Sequence, residues 1–303
     1  MPRQSPVPSP YASLVAATRV RREEVVLRGA RTHLWVYGPD EGPCVVFLHG
    51  YRGDHHGLEP IVAHLTGLRV VVPDLPGFGA SAPLPDAVHD VAGYAGWARD
   101  LLRAVDPAGD AVLAGHSFGS IVATAALAAP DAPRVRGLVL VNPIATAALA
   151  GRRRLATRAT VLLHHLAGRG PRGAGTWVLR HPAMTRGASI LMATTTDRVL
   201  RRWIHEEHDR YFSAFADRRT LLEAFDASVS GDVASSAPHV GVPTLLVAGE
   251  RDELAPPAGQ RLLLDLFADA SLVMLPGVGH LTHYEAPDGV AREVRRFVLD
   301  LTR

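Results

Sequence analysis

Six short runs, CVVFLH (44–49), RVVVPD (69–74), AVLAGH (111–116), GLVLVN (137–142), PTLLVAG (243–249) and SLVML (271–275), are apolar without alternation. A strand that reads this way is buried on both faces, as in a parallel sheet covered by helices on either side. Helical patterns fall between the runs. From Asp90 to Val105, the residues Val91, Tyr94, Trp97, Ala98, Leu101, Leu102 and Val105 share one face at 3.6-residue spacing. Residues 119–129, 258–267 and 289–301 read similarly. Two β-type runs come earlier, EEVVLRG and THLWVYG, and the Gly29-Ala30 turn between them suits an antiparallel hairpin. The expected fold is therefore α/β, a mostly parallel eight-stranded sheet with helices on both faces. In such sheets ligands sit beyond the carboxyl ends of the strands.

One stretch breaks the alternation. Residues 144–238 are helical in pattern, rich in arginine and poor in strand candidates, yet they lie between two strands of the sheet. They are expected to form a helical cap that leaves one strand end and returns at the next. The domain plan is then a flexible Pro- and Ser-rich tail over 1–20, a core of 21–143 and 239–303, and a cap of 144–238.

Composition removes several chemistries. There is no lysine, so all 32 basic residues are arginine and no Schiff-base mechanism is open. The single Cys44 has no partner for a disulfide and sits in an apolar run as a small hydrophobe. No zinc-type Cys/His spacing occurs, and no metal is expected. The first twenty residues lack the apolar stretch of a secretory leader, and nothing reaches the roughly 18 apolar residues of a spanning helix. A cytoplasmic protein without a transmembrane segment is expected. Net charge is +2, but residues 143–242 hold 14 arginines against 8 acids, a net of +6. These arginines have no aromatic interleaving, so no nucleic-acid partner is expected. A solvated face is the plain reading, and attraction of an anionic substrate or surface is the sharper one.

The chemistry concentrates at Gly115-His116-Ser117-Phe118-Gly119. This G-x-S-x-G pentapeptide follows a strand and opens a helix, the context in which its serine is exposed on a tight, strained turn. Ser117 is the candidate nucleophile. Strand PTLLVAG leads into Asp252, and strand SLVML leads into His280, both on the same rim as Ser117. His280 can take the serine proton while Asp252 fixes the imidazole tautomer. Glu250 is the reserve acid and His283 the competing base. The strand GLVLVN ends in Asn142-Pro143, which offers no carboxylate. Two backbone donors for a developing oxyanion are expected from Phe118 and Tyr51. The side chains of Tyr51, Arg52 and Phe118 are placed on the pocket floor, with Gly50 and His116 beside them.

Together these motifs resemble the α/β-hydrolase family, in its capped esterase-like branch. The likeness runs from about Glu24 to Leu301, through HGYRG, PDLPGFGAS (73–81), GHSFGS, GERDELAP and GVGHLTHYEAP in that order. It implies a serine hydrolase that cleaves an ester or thioester of a small-molecule acyl substrate through an acyl-serine, without a cofactor. Epoxide hydrolases and haloalkane dehalogenases carry aspartate at the elbow, and Ser117 sets this chain apart from them. A C–C bond hydrolase, a lyase-type member or a perhydrolase would use the same triad, although C–C hydrolases usually carry a glycine-rich oxyanion loop unlike HGYRG. A non-catalytic ligand-binding member is the alternative from another class. Many members have a second glycine after the elbow where this chain has Ser120, a change expected to affect helix packing.

Three further signals have plainer readings. Gly77-Phe78-Gly79 matches a loose dinucleotide pattern, but Pro83 and Pro85 follow where a helix would have to start, so a turn is expected. His205-Glu206-Glu207-His208 lacks a third metal ligand and reads as a solvated or cap-lining helix face. Asp54-His55-His56 reads as loop structure near the oxyanion residues.

Overall fold

The unbroken apolar runs become strands whose alternate residues feed two separate cores. In the computed structural model, which describes residues 7–147, 169–302 and Leu162, His164 and Leu166, these strands belong to one eight-stranded sheet. Its members are β1 (Val20–Leu27), β2 (Ala30–Tyr37), β3 (Cys44–Leu48), β4 (Arg69–Pro73), β5 (Val112–His116), β6 (Gly137–Val141), β7 (Thr244–Gly249) and β8 (Ala270–Leu275). They lie in the order β1-β2-β4-β3-β5-β6-β7-β8. The β1–β2 and β2–β4 pairs are antiparallel, and every neighbouring pair from β4 to β8 is parallel. The hairpin turns at Arg28 and Gly29, both in the left-handed region, as a two-residue turn of this twist requires.

Val46, Leu48, Leu113, Leu138, Leu140 and Leu246 face one layer, where α3 (Val91–Val105) and α4 (Phe118–Ala128) supply Tyr94, Trp97, Leu101, Ile121 and Val122. Val45, Phe47, Val112, Val139, Val141 and Val247 face the other, against α2 (Glu59–Val62) and α11 (Pro287–Leu301). Asp90 caps α3, its carboxylate accepting from Gly93 N at 2.7 Å. The fully buried Trp97 donates its indole N–H to Thr32 Oγ1 at 3.0 Å, so the core holds no orphaned polar atom there.

Between β6 and β7 the chain makes α5 (Arg172–Arg180), α6 (Pro182–Met192), α7 (Arg198–Tyr211) and α8 (Arg218–Ser230). Arg152, Arg153 and Arg154 lie outside the described residues. Helix α6 is packed inside out. It buries Thr185 and Ser189 while Ala188, Ile190 and Leu191 are exposed. Ser189 Oγ lies between two imidazoles, 2.6 Å from His205 Nδ1 and 2.7 Å from His208 Nδ1. The His205–His208 motif therefore fastens α7 to α6, and His208 is buried rather than solvated. Helix α9 (Pro257–Leu266) follows β7, and α10 (Thr282–Glu285) follows β8.

The expectation of a flexible tail over 1–20 needs correction for residues 7–20. Helix α1 (Ala12–Ala17) and β1 begin within it, and Tyr11 packs edge-on against Trp203 at 5.5 Å. Its hydroxyl donates to Tyr284 O at 2.7 Å, and Val7 N donates to Glu206 at 2.8 Å. An aromatic ring with both an apolar slot and a polar partner outweighs the local preference of a proline-rich segment for disorder. Residues 1–6 lie outside the described residues. Among the described residues no helix is long and apolar enough to cross a membrane. Replacing Tyr11 with phenylalanine should cost about 0.5–1.5 kcal/mol of unfolding free energy, read as a lower urea midpoint. An unchanged midpoint would mean that the Tyr11 hydroxyl contributes nothing to the folded state.

Candidate active site

Ser117 joins β5 to α4 with φ 52° and ψ −118°, a backbone region that suits glycine and strains any other residue. The turn is tight enough to require its two glycines. A Cβ on Gly115 would lie 2.3 Å from Gly119 O, and one on Gly119 would lie 2.4 Å from Leu48 O. Ser117 N donates to Val141 O at 3.0 Å, which ties the strained residue to β6. The departure at Ser120 has a role. Its buried hydroxyl donates to Ser117 O and accepts from Ile144 N at 3.3 Å, bracing the elbow against the start of the inserted segment.

Ser117 Oγ is 2.8 Å from His280 Nε2, and His280 Nδ1 is 2.7 Å from Asp252 Oδ2. Asp252 also accepts from Leu254 N at 2.8 Å, Ala255 N at 2.9 Å and Asn142 Nδ2 at 2.6 Å. Burial alone would raise its pKa, but the His280 pairing and these donors hold it down at about 2. An ionised carboxylate only accepts, so His280 Nδ1 carries the proton and Nε2 is left to accept from the serine hydroxyl. Glu250, the reserve acid, instead accepts from Gly277 N on the surface. His283, the competing base, packs on His116 with ring centroids 4.3 Å apart, and burial pushes its pKa well below the usual value. It makes no hydrogen bond to Ser117.

Asn142 is the residue that the sequence reading passed over. Its amide donates to both Asp252 and Gly279 O, and its own carbonyl accepts from Thr282 Oγ1 at 2.6 Å. Read only as a place without a carboxylate, it is instead the partner that orients one. Its seat at the end of β6, beside the strand that carries Asp252, was the available signal.

The loop after β3 is pinned by His49, which donates from Nδ1 to Gly50 O at 2.8 Å and accepts at Nε2 from Leu75 N at 2.9 Å. A Cβ on Gly50 would meet Ser117 Cβ and His116 Nδ1 at 3.3 Å, so the loop approaches the serine closely. Among the described residues, neither Tyr51 N–H nor Phe118 N–H has a protein acceptor, and both residues border the cavity. His116 lies under the serine with Nε2 3.3 Å from His280 O, and burial lowers its pKa to about 3. The cavity, of about 500 Å³, opens onto Ser117 and His280 and is walled by Met184, Leu191, Phe212, Phe225 and Val229. Arg52 is the one arginine among its described lining residues, and Arg201 and Arg202 are not at its wall.

Asp54, His55 and His56 bring possible ligand atoms within 4.8 Å of one another. Asp74 and Asp54 engage the two Nδ1 atoms at 3.0 and 3.1 Å, so the cluster fastens its loop. Gly77 and Gly79 form a turn with positive φ. Ala80 N, just beyond it, donates to Asp74 at 2.8 Å.

A sequence model of the alpha/beta hydrolase family matches residues 45–293. Lipase 3 of Moraxella sp. is 21% identical across 84% of this chain and 77% of its own. The magnesium-chelatase 30 kDa subunit of Rhodobacter capsulatus is 27% identical across 96% of each. The crystal structure of the enol-lactonase from Burkholderia xenovorans superposes with a TM-score of 0.73 at 22% identity, covering 91% of this chain and 100% of that one.

Two stability measurements follow from this geometry. Ser117→Gly should unfold about 1 kcal/mol later than Ser117→Ala, because only glycine relieves the strained dihedrals. Equal denaturant midpoints would show the turn to be unstrained. Burial also leaves His116 and His208 with folded-state pKa values of about 3, so between pH 6.5 and 3 the unfolded chain binds protons that the folded one does not. Stability should therefore fall with falling pH by about 1.4 kcal/mol per unit for each histidine. His116→Gln should flatten that slope by about one proton, as read from urea titrations at pH 6, 5 and 4.

Proposed function

The chain belongs to the alpha/beta hydrolase family, and we propose that it hydrolyses a carboxylic ester or thioester through an acyl-serine on Ser117. The observation that carries this reading is the unbroken line from Ser117 Oγ through His280 to an ionised Asp252, facing two unoccupied backbone donors. His280 Nε2 takes the Ser117 proton as Oγ attacks the acyl carbon. The charge that develops on the carbonyl oxygen is met by Tyr51 N–H and Phe118 N–H, dipoles already in position. His280 then returns the proton to the leaving alcohol or thiol. A water molecule repeats the sequence and frees the acid. Asp252 stays ionised throughout, and Asn142 keeps its carboxylate aimed at Nδ1.

Residues 144–238 act in this reading as a cap. Helix α6 turns Met184 and Leu191 to the cavity, so the acyl chain lies against apolar side chains from the insertion while the reacting bond lies on the strand ends. A volume near 500 Å³ suits a small-molecule acyl group. A member that kept the triad and only bound ligand would leave these groups idle, and a fluorophosphonate separates the two readings by labelling Ser117 only if it is nucleophilic.

With p-nitrophenyl esters of graded chain length, Ser117→Ala should lower kcat by about 10⁶-fold and abolish phosphonate labelling. Asp252→Asn should lower kcat by about 10⁴-fold with the fold retained, since the amide favours the wrong imidazole tautomer. If Ser117→Ala kept a tenth of the activity, the acyl-serine would be ruled out.

A further inference from the structure

Arg52 is a buried cation in the wall of the cavity that holds Ser117. It sits in the loop between Tyr51 and Gly53 with φ 61°, a left-handed backbone that swings its side chain toward the inserted helices. Nε donates to Phe212 O at 2.9 Å and Nη2 donates to Leu179 O at 2.9 Å. These carbonyls lie at the carboxyl ends of α7 and α5, where partial negative charge makes the buried cation tolerable. They orient the guanidinium, but they are neutral acceptors. Among the described residues no carboxylate pairs with Arg52. The other described arginines that pair with carboxylates do so on the surface, as in Arg99 with Asp131 and Arg202 with Glu206.

The third nitrogen distinguishes a site from a clamp. Nη1 has no hydrogen-bond partner among the described residues, and it is not one of the fully buried orphan atoms. It is therefore not sealed off by the protein, and Arg52 borders the cavity. The lining, which also carries Asp54, His164 and Ser228 beside its apolar side chains, thus presents one fixed, always-charged donor on the same cavity as the serine. Arginine is the side chain whose flat edge fits a carboxylate with two parallel bonds.

We propose that Arg52 is an anion subsite, and that the substrate is an ester whose acyl part ends in a carboxylate, a monoester of a dicarboxylic acid. This rests on the ester-hydrolase reading and narrows it to one class of acyl group. The carboxylate docks at the Nη1 edge and the ester carbonyl lies at Ser117 Oγ. The chain between them fills the apolar middle of the cavity, so one length in a dicarboxylate series fits best.

The test separates binding from turnover. In Ser117→Ala protein, which cannot react, calorimetry compares monomethyl and dimethyl esters of dicarboxylic acids of graded length. The monoester of the best length should bind about ten- to a hundredfold more tightly than its neutral diester. Adding Arg52→Gln should remove that difference, whereas loss of a merely structural clamp would weaken both esters alike. If Arg52→Gln does not fold, the two esters in Ser117→Ala protein decide the matter alone. A diester that binds as well as its monoester overturns the subsite. The hydrolysis reading fails separately, if wild-type protein turns over neither ester and its Ser117 takes no phosphonate.

Discussion

The strained turn at Ser117 is the constraint on which the rest of the structure depends. Its φ of 52° holds only because neighbours on every side fix it. Val141 O accepts from its N–H, the Ser120 hydroxyl donates to its carbonyl, and the backbone of β3 closes over Gly119. Each neighbour comes from a different element, so the dihedral of one residue is over-determined by the assembled sheet. Strain of this kind persists only when the surroundings leave no relaxed alternative. The same assembly points Oγ away from its own helix and toward His280.

The line of protons beyond Ser117 has its own asymmetry. Of His49, His116, His280 and His283, which all border the cavity, only His280 bonds a carboxylate. Burial lowers the pKa of the other three. Several imidazoles are thus gathered at one strand edge, and the position of Asp252 singles out one of them for ionic support. Asn142 sets that position, which places part of the orientation on β6 rather than on the loop that carries the acid.

Much of this was legible because it is local. The apolar strands, the elbow and the order Ser117, Asp252, His280 each leave a short pattern whose meaning does not depend on distant residues. The parts that escaped are long-range. Tyr11 is ordered by Trp203 and Tyr284, nearly two hundred residues away or more, and a window of sequence sees only prolines. Asn142 acquires its role from Asp252, 110 positions on. Helix α6 buries its serine because His205 and His208 meet it there, 16 and 19 positions on. Arg52 was legible as a pocket residue, but not as a cation fixed by two helix ends.

The place where the inserted helices join the sheet has a consequence for how such a chain can diverge. The insertion leaves at the end of β6 and returns at the start of β7, and those two strands are hydrogen-bonded neighbours in parallel register. Its ends are fixed one strand apart whatever lies between them. Lengthening, shortening or exchanging the helices changes loop-closure entropy only slowly and leaves the pairing of Val139 with Leu245 untouched. The floor of the cavity is inherited with the sheet, while much of its wall is replaceable. Arg52 grips that wall from the floor, so an exchanged insertion would have to offer two carbonyls at the same two points or leave a buried charge without an anchor.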